Sequence, residues 1–292
     1  MDYPRSDFII ETDELQAILA DANLRIIDCR IHFGVDDAGD IFFTSAEEDW
    51  AAEHIPGATH VHIAEALSDR SSDLPFMLPS AEDFTAVMSR LGVGDGKRVV
   101  LYDGFYNIWA ARVWWMLRAY GYTNAAVLNG GFQKWKQEKR PVVEGRETPR
   151  AATFRAEPTS RVFVDKQAVL SAIAEKSTCL VDALPADQYS GESPVWVHRP
   201  GHIKSAANIP FNSIVDEQTH AYLPAEQLAE ELATLGLASN DAVVTYCHAG
   251  NAASSVAFAM ALMGNERVSI YDGSLREWTA DPDLPMETSV GS

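Results

Sequence analysis

One ordered set of landmarks occurs twice in this 292-residue chain. The first copy runs Ile26-Ile-Asp28-Cys-Arg30, His54-Ile-Pro-Gly-Ala58, Val99-Val-Leu-Tyr-Asp103, then Val127-Leu-Asn-Gly-Gly-Phe132 and Trp135. The second runs Leu180-Val-Asp182-Ala-Leu184, Gly201-His-Ile-Lys-Ser-Ala206, Val243-Val-Thr-Tyr-Cys247, then Ile270-Tyr-Asp-Gly-Ser274 and Trp278. Matching landmarks in matching order mean a tandem duplication of a whole folding unit, not a short-period solenoid. The length suffices for two domains of ordinary size, each with its own core.

Within each copy, short β-branched runs alternate with helical patterns. Helices are expected from Asp13 (a candidate cap) to Leu19, from Ala81 to Leu91 with a stop at Gly92, and from Trp109 to Tyr120. Asp165 to Glu175 and Pro224 to Leu235 read the same way, the last with proline at its start. Strands are expected over 24–28, 99–102 and 179–182. Such alternation implies parallel βαβ units, whose sites lie at the C-terminal ends of strands. Residues 137–158 hold three prolines and many charges without an apolar period, and read as a linker. The expected organisation is an N-terminal domain over 1–140, a linker over 141–160 and a C-terminal domain over 161–292.

Cys247 falls where a strand ends and an alanine-rich helix begins, in Tyr246-Cys-His-Ala-Gly-Asn-Ala-Ala-Ser-Ser255. Small residues at Ala249, Gly250, Ala252 and Ala253 let a backbone curl around one point, with Gly250 suited to a positive φ. N–H groups at a helix N-terminus favour an anion and lower a thiol pKa, which is one route to a reactive thiolate. A buried structural thiol is the competing reading. At the position of Cys247 the first copy has Asp103, which has no thiol.

The Asp-x-Arg element, the His-Ile-x-Gly-Ala element, the loop cysteine and the closing Asp-Gly-Ser-x-x-x-Trp resemble the rhodanese-like sulfurtransferases, from about Glu11 to about Trp278. The two-copy form is similar to the thiosulfate and 3-mercaptopyruvate sulfurtransferases, and Ala110-Ala-Arg-Val-Trp-Trp-Met-Leu117 resembles their silent N-terminal repeat. The resemblance implies two tandem rhodanese-like α/β domains, each a parallel sheet flanked by helices. It also implies a Cys247 persulfide that takes sulfur from a small anionic donor and gives it to cyanide or a thiol. The loop residues His248, Ala249, Gly250, Asn251, Ala252 and Ala253 would cradle that sulfur, and no cofactor or metal is implied.

Departures from the family pattern bear on the donor. Thiosulfate enzymes typically carry Cys-Arg-Lys-Gly-Val-Thr and mercaptopyruvate enzymes Cys-Gly-Ser-Gly-Val-Thr; Cys247-His-Ala-Gly-Asn-Ala is neither. Ala249 stands for the relay serine, Phe76 for the relay histidine and Leu184 for a substrate-binding arginine. Arg199 is the nearest candidate to replace that arginine as the anion contact, with a solvated surface arginine as the alternative. His248 beside a thiolate is a candidate cation or proton donor near neutral pH, or a side chain turned to solvent. Asn251 is a candidate substrate donor or helix cap. Trp109, Trp114 and Trp115 read as packing residues, His54 and His202 as hydrogen-bonded turn residues, and Cys29 and Cys179 as core thiols. Asp28, Asp182 and Asp272 read as orienting loops or arginines.

Two other functions fit a loop cysteine. A cysteine phosphatase needs an arginine that Cys-x5-Arg spacing would put at Ala253, and the loop has none. A carrier module would relay sulfur between partner proteins. The formal net charge of −19 argues against nucleic acid, which needs clustered Lys and Arg. It also repels anionic donors at long range, an effect screened over about 8 Å at physiological salt. No apolar run approaches the roughly 18 residues of a membrane span. Three scattered cysteines, no signal-peptide pattern at the start and no zinc-type spacing point to a reducing compartment, with cytoplasm as the expectation.

Overall fold

Each copy of the landmarks builds a five-stranded sheet, all parallel, and the two sheets have the same strand order. The computed structural model describes residues 2–35, 41–94, 96–159, 161–237 and 241–289. In the first sheet the order is Ile9–Ile10, Ala125–Leu128, Arg98–Tyr102, Leu24–Asp28, Ala58–His60. In the second it is Phe163–Val164, Val268–Tyr271, Ala242–Tyr246, Thr178–Asp182, Ala207–Asn208. Register repeats as well: Asp28 lies opposite Tyr102 in one sheet and Asp182 opposite Tyr246 in the other. Val99 to Tyr102 are fully buried, because helices cover both faces of a parallel sheet and leave no polar side to alternate.

The two units share one core. Helix Ile108–Ala119 of the first packs against helix Asn251–Leu262 of the second, and every residue of the latter is buried. A helix apolar on all sides has no solvent face to offer, and small alanines let its neighbour approach closely. Trp115 Nε1 donates to Ser254 O at 3.1 Å, and Trp114 sets its ring edge-on to Phe258 at 4.9 Å. Arg112, the one charge midway along the first helix, is fully buried and pairs with Asp272 Oδ1 at 2.6 Å across the boundary. Asp28 likewise holds the Arg30 guanidinium at 2.7 Å, so two of the three aspartates Asp28, Asp182 and Asp272 orient arginines.

Several boundaries differ from the sequence reading. The first helix is Thr12–Ile18, capped by Glu11 in a reciprocal box with Glu14 rather than by Asp13. Helix Ile108–Ala119 starts one residue early, behind Asn107 in the left-handed region. The proline-rich stretch is no loose tether. Val143 and His54 exchange backbone hydrogen bonds at 2.9 and 3.0 Å, and Thr159 N reaches Ala119 O at 2.7 Å. Phe154 is buried, its ring 5.6 Å from that of Phe84 and 5.6 Å from that of Tyr122. It is a strap along the first unit, legible only once its partners are known.

His54 Nδ1 donates to Trp50 O at 2.7 Å and His202 Nδ1 to Tyr189 O at 2.8 Å, the turn-holding role expected of both. An antiparallel hairpin, Ile31–Val35 with Ile41–Ser45, was not anticipated and matters below. Among the described residues, no helix is long and apolar enough to cross a membrane.

Candidate active site

Strand Ala242–Tyr246 ends in the second sheet's centre, and Cys247 follows it directly. Gly250 caps the next helix at φ +77°, where a Cβ would lie 3.0 Å from Arg112 Nη1 and 3.3 Å from Asp272 O. Both the left-handed backbone and the close neighbours require glycine there. The loop is pinned from outside: Cys247 N donates to Ser274 Oγ at 3.3 Å, Leu275 N to Cys247 O at 2.9 Å and Arg276 N to His248 O at 3.0 Å.

The backbone N–H groups of Ala249, Ala252 and Ala253 point at the Cys247 thiol. The latter two belong to the first turn of the helix and have no intrahelical acceptor. The sequence reading of a lowered thiol pKa does not hold for the net balance. Cys247 is 2% exposed, and burial pushes the thiol above its ordinary value, against the pull of those three N–H groups. Alkylation of Cys247 by iodoacetamide, which tracks thiolate, is therefore expected to go on climbing past about pH 9. A plateau below about pH 8, seen by mass spectrometry of the labelled peptide, would contradict this balance.

The first unit contains the same loop with a different occupant. Asp103 accepts from Phe105 N at 2.8 Å, Trp109 N at 2.8 Å and Ala110 N at 2.9 Å. These are the counterparts of Ala249, Ala252 and Ala253: two residues past Asp103 or Cys247, then second and third in the helix. A carboxylate fills one nest and a thiol the other. Burial pushes the Asp103 carboxyl up to about 7, and Asp182 beneath the Cys247 loop likewise to about 7.

Cys247 opens into a cleft of about 350 Å³ between the two units. Phe33 and Phe43 of the hairpin, with Phe105 and Trp109, form one wall. Leu184, Trp196 and Phe211 form the other, and His248, Ala249, Asn251 and Ala252 share the floor with the cysteine. Among the described residues, no Lys, Arg, Asp or Glu lines it. Phe76, in the relay histidine's place, backs the wall with its ring 4.7 Å from Phe43 and 5.5 Å from Trp109.

Four expectations need correction. His248 is neither turned to solvent nor a cation at neutral pH. It is half-buried in the cleft floor, and burial first, then Arg276, pushes its imidazole down to about 4. Asn251 is not the cap, a place taken by Gly250; its Oδ1 is buried without a partner at the cleft. Trp109 lines the cleft instead of only packing between helix and sheet.

Arg199 lies outside the cleft lining and has its donors committed elsewhere. It gives hydrogen bonds to the carbonyls of Trp278, Thr279, Asp281, Pro282 and Leu284, at 2.7 to 3.4 Å, and so latches the C-terminal segment. Arg199→Ala is expected to cost about 2 kcal/mol of stability, since hydrogen bonds from a charged group are worth about 1.5–3 kcal/mol and are not additive. Urea unfolding checks the loss, with an unchanged KM for the donor; a raised KM at unchanged stability would return Arg199 to the site.

Ala253 and Gly250 support the loop from behind without lining the cleft. Among the described residues, no cluster of His, Cys, Asp and Glu is arranged to hold a metal ion. The residues that sequence reasoning missed are the aromatic ones, Phe33, Phe43, Phe105, Trp196 and Phe211. A tryptophan in the polar run Gly191-Glu-Ser-Pro-Val-Trp196 was the one available signal.

Comparison with known proteins agrees with this geometry. The family described as "Rhodanese-like domain" matches residues 11–138 and again 165–281. Thiosulfate sulfurtransferase of Gallus gallus is 33% identical over 80% of this chain and 81% of its own length. 3-Mercaptopyruvate sulfurtransferase of Escherichia coli K12 is 32% identical over 96% of this chain and 98% of its own. The crystal structure of SseA from Escherichia coli, described as a 3-mercaptopyruvate sulfotransferase with the rhodanese fold, superposes with a TM-score of 0.80 at 29% identity. It covers 91% of this chain and 98% of that one. With two copies of the domain, matching sheets and matching loops, this chain belongs to the rhodanese-like family.

Proposed function

We propose that this chain is a sulfurtransferase in which Cys247 carries the sulfur. The observation that carries the reading is the thiol at the floor of an open cleft, faced by the N–H groups of Ala249, Ala252 and Ala253. The Cys247 thiolate attacks the outer sulfur of the donor. With thiosulfate the S–S bond breaks and sulfite leaves with the electron pair. With 3-mercaptopyruvate the C–S bond breaks, and the carbon fragment takes the pair and a proton to leave as pyruvate. The bound persulfide then holds its terminal sulfur against the loop N–H groups, fixed dipoles that need no reorganisation. Attack by cyanide or a thiol on that sulfur breaks the S–S bond and returns the electron pair to Cys247.

In this reading residues 161–292 are the catalytic unit, residues 141–160 the connection and residues 1–140 a silent unit. Asp103 fills the nest of the silent unit with a carboxylate, and no nucleophile remains there. Between donors, 3-mercaptopyruvate is favoured, because no cation among the described residues lines the cleft to hold a sulfonate. The same observation favours a second reading, a carrier fed by a partner protein. Initial rates with donor and cyanide varied together distinguish them. Parallel double-reciprocal lines are expected for a persulfide enzyme, intersecting lines would contradict the two-step course, and no turnover with either free donor would favour the carrier.

A further inference from the structure

The cleft is built for more than a small anion. At about 350 Å³ it lies in the range of pockets that enclose whole organic ligands, and six Phe and Trp side chains among the described residues face it: Phe33, Phe43, Phe105, Trp109, Trp196 and Phe211. No charged group among the described residues compensates an anion's lost hydration, and the loop N–H groups are committed to the sulfur. A small donor resting on the loop leaves the ring-lined volume above it unfilled.

Trp196 is held there at a cost in backbone strain. Its φ is +55°, a region that bulky residues rarely occupy and that persists where the surroundings impose it. Arg276 stacks over the indole at 4.8 Å and donates to the Trp196 carbonyl at 3.3 Å. The ring thereby spans both units, 5.6 Å from Phe43 and 6.1 Å from His248. On the floor, Asn251 Oδ1 is buried and lacks a hydrogen-bond donor, as does Gln188 Oε1 in the lining, so the site offers a few directional polar groups in a chamber lined mostly by apolar side chains.

We infer that the sulfur acceptor is a thiol carried on an apolar, ring-bearing body, seated between Trp196 and the Phe33–Phe43 hairpin. The inference rests on the sulfurtransferase reading and names the class of its second substrate. The acceptor thiolate attacks the terminal sulfur of the Cys247 persulfide; the new S–S bond forms on the acceptor, the old one breaks, and its electron pair returns to Cys247. An aryl-bearing persulfide leaves.

The test compares benzyl mercaptan with 2-mercaptoethanol, thiols of similar acidity, as acceptors from persulfide-loaded enzyme, followed by loss of one sulfur in the intact mass. Benzyl mercaptan is expected to discharge the enzyme at least about ten-fold faster, relative to the same pair reacting with a small-molecule persulfide in solution. Trp196→Ala and, separately, Phe43→Leu should shrink that ratio about five-fold or more. A wild-type ratio equal to the solution ratio would overturn the inference. So would a ratio that both variants leave unchanged.

Benzyl alcohol, which cannot accept sulfur, separates this inference from the reading beneath it. It should slow iodoacetamide labelling of Cys247 in wild type and less so in Trp196→Ala. If no donor loads Cys247, the sulfurtransferase reading falls, while protection by benzyl alcohol still supports a ring-binding cleft and its absence overturns one.

Discussion

Cys247→Ser is expected to lower sulfur transfer by at least about 10³-fold while leaving the fold intact. Loss of a covalent nucleophile acts on that scale or beyond, because no other group can take over the bond-forming step. Cys29 and Cys179 offer no substitute. Cys29 is fully buried with its thiol pushed well above the ordinary range by burial, and Cys179 lies on a sheet strand and is absent from the cleft lining. Serine is a close match in size, its hydroxyl can accept from the same loop N–H groups, and the hydrogen bonds that pin the loop from outside are made by backbone atoms of Cys247 and His248. Circular dichroism and urea unfolding should therefore match the parent. Retention of more than about a tenth of the activity would place the sulfur on another residue.

Arg112→Ala is the second large effect, and it acts on stability. The guanidinium lies fully buried between the units, donates to Phe76 O and Asp272 Oδ1, and stacks over the Phe163 ring at 4.4 Å. Removing it leaves the Asp272 carboxylate, 5% exposed, with Leu78 N as its remaining donor at 2.8 Å. Breaking a buried pair by deleting one partner costs about 3–5 kcal/mol, a large part of the roughly 5–15 kcal/mol that holds a domain together. Gly250 rests against the same guanidinium, so kcat should fall as well. Adding Asp272→Asn to Arg112→Ala should restore part of the loss, because the uncompensated charge is then gone. A urea midpoint within about 1 kcal/mol of the parent for Arg112→Ala would contradict the structural role assigned to the pair.

Much of this arrangement was legible in the chain because it is written twice. The landmark order gave the duplication, the alternation of strands and helices gave parallel βαβ units, and the strand, small-residue loop and alanine-rich helix around Cys247 marked the candidate site. Gly250 was marked by its position in the loop. What the chain did not disclose is what depends on depth and on the partner unit. Whether three N–H groups win over burial at Cys247 is a balance of two opposing terms, and only the thiol's 2% exposure shows which prevails. Arg199 looked like a free cation because its acceptors are backbone carbonyls some 80 residues away in sequence, invisible to a motif. His248 looked chargeable because unperturbed histidine is, until burial beside Arg276 removes the proton. The ring-lined cleft draws on both units, so no single segment carried its signature.

The most direct test of the central claim is the intact mass of reduced protein after brief exposure to 3-mercaptopyruvate or thiosulfate, with Cys247→Ser in parallel. A gain of one sulfur atom, about 32 Da, on the parent and not on the variant is the result expected of a covalent carrier, with 3-mercaptopyruvate the faster donor. An equal gain on both proteins, or none on either, would contradict Cys247 as the site that takes sulfur from a free donor.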